Sequence, residues 1–208
     1  LLSGWDIYGR RLRGDGVFTS IPFLITGAGG DQLYPTAAAE TNLGWYTVVW
    51  VDNRNSHSEI YGRRVTGTGV LYGNDAVIET NEVLPPDFPY WPMPQITYHP
   101  QSNELYVVWL SSTGMEVAGR RISASGALSV LGNLRYLWAS PTPSETLWPQ
   151  IVANPLHAEY MAIFQYSYER REIYGQRLDT QGVELDNPNT NRNESIEGIH
   201  FPIALGTG

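Results

Sequence analysis

Four acids recur at matching points of the chain: Asp6, Glu59, Glu116 and Glu172. Each opens a segment that runs through Gly to Arg and an apolar residue, as in Glu59-Ile-Tyr-Gly-Arg-Arg-Val65. Two carboxylates about 5 to 10 Å apart could cleave a glycosidic bond. A reaction centre, however, needs unlike groups in unlike roles around one atom, whereas residues repeated in every structural unit occupy equivalent, separated positions. The recurring acids are therefore expected to be salt-bridged or solvated strand positions. The same filter makes Arg11, Arg64, Arg121 and Arg177 structural repeat residues. If such an arginine is packed between units it must be paired, because breaking a buried ion pair costs about 3 to 5 kcal/mol. The expected partners are carboxylates on a neighbouring strand or unit, with Asp52 the candidate in one repeat.

Aromatic-Pro pairs supply the best candidate for ligand binding. Tyr34-Pro35, Trp91-Pro92, Trp148-Pro149 and Phe201-Pro202 each open a repeat. If the strands they begin line a common axis, Tyr34, Trp91, Trp148 and Phe201 gather at one mouth of it. Flat apolar faces there could stack on sugar rings or grip a peptide. The competing expectation is that each ring packs between units as core. The four histidines, His57, His99, His157 and His200, show no metal-site spacing. Gly27 to Gly30 reads as a loop, and the Asp- and Asn-rich stretches Asp52 to Asn55 and Asp186 to Asn193 read as turns without the EF-hand pattern. The Asn193-Glu-Ser195 sequon is short enough to arise by chance. No catalytic residue, metal ligand set or cofactor is called for.

Composition narrows the classes further. The 208 residues contain no Cys, which excludes disulfides, thiolate nucleophiles and Cys-ligated metals. All thirteen basic residues are Arg, so Schiff-base chemistry and a phosphate loop ending in Gly-Lys are excluded as well. A net charge of -8 disfavours a nucleic acid partner. No apolar run approaches the ~20 residues of a membrane-spanning helix, and no membrane insertion is expected.

The elements that must position these residues come from a repeat of about 55 residues. The four Gly-Arg segments begin at residues 6, 59, 116 and 172, spacings of 53, 57 and 56. Short apolar runs precede them at Tyr46 to Val51, Leu105 to Leu110 and Tyr160 to Phe164. Rich in Val, Trp and Tyr and bounded by turn residues, they read as strands buried on both faces. After each segment comes a turn with Gly16, Gly69, Gly126 or Gly182, then a weaker strand such as Ala76 to Thr80 or Leu134 to Trp138. Proline in the opening pair is expected at a strand's first residue, where it breaks no ladder bond. Helical periodicity is absent.

Units of four short antiparallel strands at this period are the signature of propeller blades. The expected architecture is one all-β domain over residues 1–208, with repeats near 1–33, 34–90, 91–147 and 148–200. Residues 201–208 would be the first strand of a closing blade that the N-terminus begins. A ring of about four blades is favoured, a longer parent with five or more blades is the alternative, and a solenoid ranks behind both. The pattern of Val48 to Trp50, Asp52 to Arg54 and Ile60 to Arg64 resembles repeats of secreted and cell-surface bacterial proteins held to be propellers. That resemblance spans the chain, and repeat three departs from it at Leu110-Ser-Ser and Ala118. It implies an extracellular or cell-surface accessory module without a fixed reaction. The expected function is non-catalytic binding or scaffolding through protein contacts, as part of a surface assembly. The alternatives are a lectin-like glycan binder and a fragment of a propeller glycoside hydrolase.

Overall fold

A computed structural model describes residues 4–81, 83, 93–114, 116–139, 145–167 and 171–185. The described residues form thirteen strands in four antiparallel sheets and no helix. The first sheet pairs β1 (Ile7–Gly9) with β2 (Phe23–Thr26). The second runs in chain order through β3 (Gln32–Glu40), β4 (Trp45–Asp52), β5 (Glu59–Val65) and β6 (Leu71–Glu79). The third comprises β7 (Gln95–His99), β8 (Glu104–Leu110), β9 (Glu116–Ser123) and β10 (Ser129–Ala139). The fourth holds β11 (Glu145–Asn154), β12 (Glu159–Ser167) and β13 (Arg171–Asp179).

Strand alternation explains why the apolar runs Tyr46 to Val51 and Leu105 to Leu110 are buried on both faces, while the run Tyr160 to Phe164, expected to be the same, is buried on one face with Ile163 exposed on the other. Successive side chains point to opposite sides of a sheet, and each inner sheet is covered on both sides. In β4, Val48 and Trp50 face one apolar cluster with Ile7, Ile25, Tyr61 and Val65, between the first and second sheets. Val49 and Val51 of the same strand face a second cluster, shared with Val107, Trp109, Ala118 and Ile122 of the third sheet. In β8 the other parity, Tyr106, Val108 and Leu110, meets Tyr160, Ala162, Phe164 and Leu178 of the fourth. The sheets are thus packed in chain order, with the core divided into three layers between them. A Val or Leu side chain buried in this way contributes about 1.5 to 3 kcal/mol.

Three of the hairpins that carry the arginine segments share one turn. Thr66 N–H donates to Val70 O (2.8 Å) and Gly69 N–H to Thr66 O (2.8 Å), with Gly69 at φ 88. The same pattern joins Arg13 to Val17 through Gly16 and Asp179 to Val183 through Gly182. A residue with a side chain would be strained at that φ, which is why glycine recurs there.

One expectation about proline is corrected. Pro35 and Pro149 do not start strands: they lie inside β3 and β11, where the pairing register slips between Leu33 and Thr36 and between Leu147 and Gln150. A bulge is the other place a sheet tolerates a missing N–H. The preceding aromatic takes a left-handed conformation in both, at φ 55 for Tyr34 and φ 50 for Trp148. Steric conflict with the proline ring ordinarily pushes such a residue into extended geometry, so both bulges are backbone-strained.

Candidate functional site

In the second and third sheets the two arginines of the Gly-Arg-Arg segment stand on opposite faces of their strand and reach opposite neighbours. The first reaches back. Arg63 donates to Ile25 O (3.0 Å) on the preceding sheet, and Arg120 donates to Ile78 O (3.0 Å) in the same relation while pairing with Glu79 at 3.0 Å. The second reaches forward. Arg64 donates to Gly126 O in the turn of the next sheet, and Arg121 donates to Thr180 O (3.3 Å) and to the Gln181 side chain in the turn beyond. Arg11 follows suit through its stem: a Cβ built on Gly69 would lie 3.0 Å from its Cδ. The Arg63–Arg64 and Arg120–Arg121 pairs are therefore two-way clasps between sheets, whereas Arg10 donates to Ser20 O (3.0 Å) and the fourth segment carries Gln176 in place of the first arginine.

The forward arginine is also anchored within its own sheet. Arg64 and Glu40 form an ion pair with both side chains 1% exposed, and Thr47 Oγ1 donates to the same carboxylate. The guanidinium lies 4.5 Å from the Trp45 ring centroid, a cation–π contact. Arg121 pairs with Glu104 and Arg177 with Glu159, each at 3.5 Å. The carboxylate changes strands between sheets. Glu40 lies on β3 opposite Trp45, whereas Glu104 and Glu159 occupy the Trp45 position, opposite His99 and Asn154. One acid per hairpin serves the arginine from either side of the pair.

Asp52 does not partner Arg64. Its carboxylate is filled by Trp50 Nε1 (2.7 Å) and by Arg54 through the backbone N–H (3.0 Å), Nε (2.9 Å) and Nη2 (2.6 Å). Position 52 ends β4 at the opposite end of the pairing from Thr47, which faces Arg64. Arg54 also donates to Asp75 (2.8 Å), which accepts from Thr26 (2.8 Å) and Arg63 (3.3 Å), and its guanidinium lies 4.0 Å above the Tyr61 ring. These two carboxylates hold Arg54 charged beyond its ordinary range. Every oxygen of Asp52 and Asp75 accepts a hydrogen bond from the protein, and the cluster fastens the first sheet to the second.

Among the recurring acids, Glu59 is buried, accepts from Asn55 (2.6 Å) and lies 3.4 Å from His57, and Glu116 accepts from Ser111 Oγ (3.1 Å). Of the aromatic-Pro residues, Tyr34 is half-buried against the layer between the second and third sheets. Trp148 is 55% exposed. Trp91 and Phe201 lie outside the described residues, as do the sequon and the proposed closing strand 201–208. A hollow of about 380 Å³ opens where the leading strands converge, lined by Ala38, Ala39, Ile96, Tyr98 and Ala153 among others.

Asp75, Glu40 and the backward-reaching arginines were not singled out in the sequence. Alternation along Gly-Arg-Arg places adjacent arginines on opposite faces, so the second clasp arm was legible there. The carboxylates were not, because they do not recur at one position.

No protein-family model and no curated protein matches the chain. Among solved structures, it shares 11% identity and a TM-score of 0.44 with an N-acetylgalactosamine deacetylase from F. plautii in complex with blood group B trisaccharide. That alignment covers 74% of this chain and 50% of the other, so the chain spans about half the length of that structure.

Proposed function

We propose that the chain is a non-catalytic binding and scaffolding module, working at the cell surface or outside the cell through contacts with other proteins. Its four sheets are read as the blades of a propeller of about four units. One observation carries the functional reading. The residues best suited to chemistry by type are spent on the framework: Arg63, Arg64, Arg120, Arg121 and Asp75 join sheet to sheet, and Asp52 and Glu40 hold Arg54 and Arg64 in place. A side chain committed to holding the framework is poorly placed to exchange protons or bind a reacting group. The cell-surface setting rests on the resemblance of the Val-Val-Trp and Ile-Tyr-Gly-Arg-Arg pattern.

Incubation of the purified chain with panels of chromogenic glycosides, esters and peptides is expected to give no turnover above buffer. Hydrolysis that disappears in Asp75→Asn or Asp52→Asn, with the fold retained by circular dichroism, would overturn the proposal.

A second reading, glycan binding, is favoured by the exposed Trp148 indole on its strained bulge. It would use Tyr34, Trp91, Trp148 and Phe201 as stacking faces. A glycan array whose signal is lost in Trp148→Ala supports it; an array without hits removes it.

A further inference from the structure

Strand β1 carries Ile7-Tyr8-Gly9, the counterpart of Ile60-Tyr61-Gly62, Val117-Ala118-Gly119 and Ile173-Tyr174-Gly175 in the other sheets. In each of those three sheets the preceding strand runs antiparallel along this segment and sets an aromatic opposite its middle residue. Trp50 stands opposite Tyr61, Trp109 opposite Ala118 and Phe164 opposite Tyr174. Trp50 and Phe164 stack on those tyrosines, with ring centroids 6.4 Å and 6.1 Å apart. Opposite the glycine each preceding strand places a β-branched residue, Val49, Val108 or Ile163. Among the described residues β1 pairs with β2 alone, and Tyr8 is 60% exposed against 6% for Tyr61.

A second observation comes from across the layer. The face that the second sheet turns toward the first carries Val48 and Trp50, both buried. Tyr46, at the start of the same strand, is 48% exposed, and Ala37 and Ala39, opposite Val48 and Tyr46 on β3, are exposed as well. Their counterparts in the third sheet, Leu105, Ile96 and Tyr98, are buried against the second sheet. One slot is therefore open on two sides, with a ladder edge along β1 and an apolar floor on β3 and β4. It continues the layer in which Ile7 and Ile25 already pack on Val48 and Trp50.

We propose that this slot receives an extended apolar strand from a partner protein, added antiparallel to β1 with an aromatic side chain opposite Tyr8. A sheet edge offers a row of main-chain N–H and C=O groups that pair with another strand whatever its sequence. Side chains then select the partner. The incoming aromatic falls on the face of Tyr8 and Leu24, which already stand opposite one another, and the three form a row across the sheet. Its two neighbours fall opposite Gly9 and Ile7 and point to the floor formed by Ala37, Ala39 and Tyr46. A β-branched residue followed by an aromatic, as in Val49-Trp50, Val108-Trp109 and Ile163-Phe164, is the pattern that the other three sheets seat at this place. Removal of the Tyr8 ring, the Tyr46 ring and the incoming side chains from water supplies the non-directional part of the attraction.

This inference rests on the scaffolding reading and names the chemistry of its partner. The probe is a fluorescein-labelled peptide of residues 44–53, which contains the Val49-Trp50 pattern, with lysines added for solubility. Titrated with the full chain, its fluorescence anisotropy is expected to rise to saturation. Trp50→Ala in the peptide, or Tyr8→Ala in the chain, is expected to weaken binding about tenfold or more. Tyr8 is exposed, so the second substitution should leave the thermal midpoint unchanged. Methylating the backbone nitrogens of alternate peptide residues should abolish binding in one parity and spare it in the other, because only one edge of the added strand pairs with β1. No saturable binding overturns the proposal. So does a scrambled peptide that binds equally well, or methylation that acts alike in both parities. A sedimenting mass that rises with concentration and falls on adding the peptide gives the slot to a second copy of the chain and overturns it too. Turnover is read in a separate assay, so failure of strand docking and failure of the non-catalytic reading are distinguishable.

Discussion

Replacing Arg64 by leucine isolates the most deeply buried part of the framework. The substitution leaves Glu40 with Thr47 as its remaining partner in a site where both carboxylate and guanidinium were 1% exposed. Removing one member of such a pair costs about 3 to 5 kcal/mol, because the orphaned charge stays desolvated. The lost contacts to Gly126 O and to the face of Trp45 act in the same direction. Against a typical domain stability of about 5 to 15 kcal/mol, this is a large fraction of the total. Urea denaturation followed by tryptophan fluorescence reads it directly, since Trp50 and Trp109 are fully buried in adjacent layers. The midpoint should fall while the slope stays that of the wild type. Replacing both Glu40 and Arg64 by leucine should recover most of the loss, because buried pairs exchange for apolar groups at little net cost. The same leucine substitution at Arg177, whose side chain is 43% exposed, should cost at most about 1 kcal/mol at concentrations where the chain is monomeric. A loss below about 1 kcal/mol for Arg64→Leu, or an equal loss at Arg177, would refute the reasoning.

Other outcomes follow from the same geometry. Tyr106 has a buried hydroxyl without a hydrogen-bond partner among the described residues, so Tyr106→Phe should be neutral or stabilising in thermal denaturation. Gly182→Ala should destabilise by about 1 to 3 kcal/mol, since φ is 74 and a Cβ would lie 2.7 Å from the Tyr106 hydroxyl. Gly16→Ala shares the φ penalty but meets no neighbour within 4 Å, and should cost less in the same melts. Burial pushes the Tyr160 phenol up to about 12. The folded state therefore holds a proton that the unfolded state releases near 10, so this contribution is intact below pH 10 and is lost as pH rises toward 12. Alkaline unfolding with phenolate absorbance is expected to move to higher pH in Tyr160→Phe.

Strands were legible wherever burial on both faces left no choice of residue type. The runs ending at Val51 and Leu110 are apolar at both parities because a sheet lies on each side of them, whereas in the run ending at Phe164 only Tyr160, Ala162 and Phe164 are buried, against the third sheet, and Ile163 is exposed. The turn glycines were legible for a backbone reason, their positive φ. The ion pairs were not, because a side chain as long as arginine reaches a carboxylate from either strand of a hairpin. The acid could therefore move from Glu40 to the Glu104 and Glu159 position without leaving a constant spacing in the sequence. Asp52 was a candidate partner for Arg64 as a carboxylate on the neighbouring strand, yet strand register places it beside Glu59. The proline bulges were missed because aromatic-Pro is equally compatible with a strand start, and only the paired strand fixes the slip. Tyr34 and Trp148 share a backbone geometry but differ in exposure, which a repeat pattern cannot distinguish.

A crystal structure of the chain tests the clasp most directly. It should show Arg63 and Arg120 on the Ile25 and Ile78 carbonyls of the preceding sheet, with Arg64 and Arg121 on the turns of the following one. Any of these four guanidinium groups pointing into solvent would contradict the account.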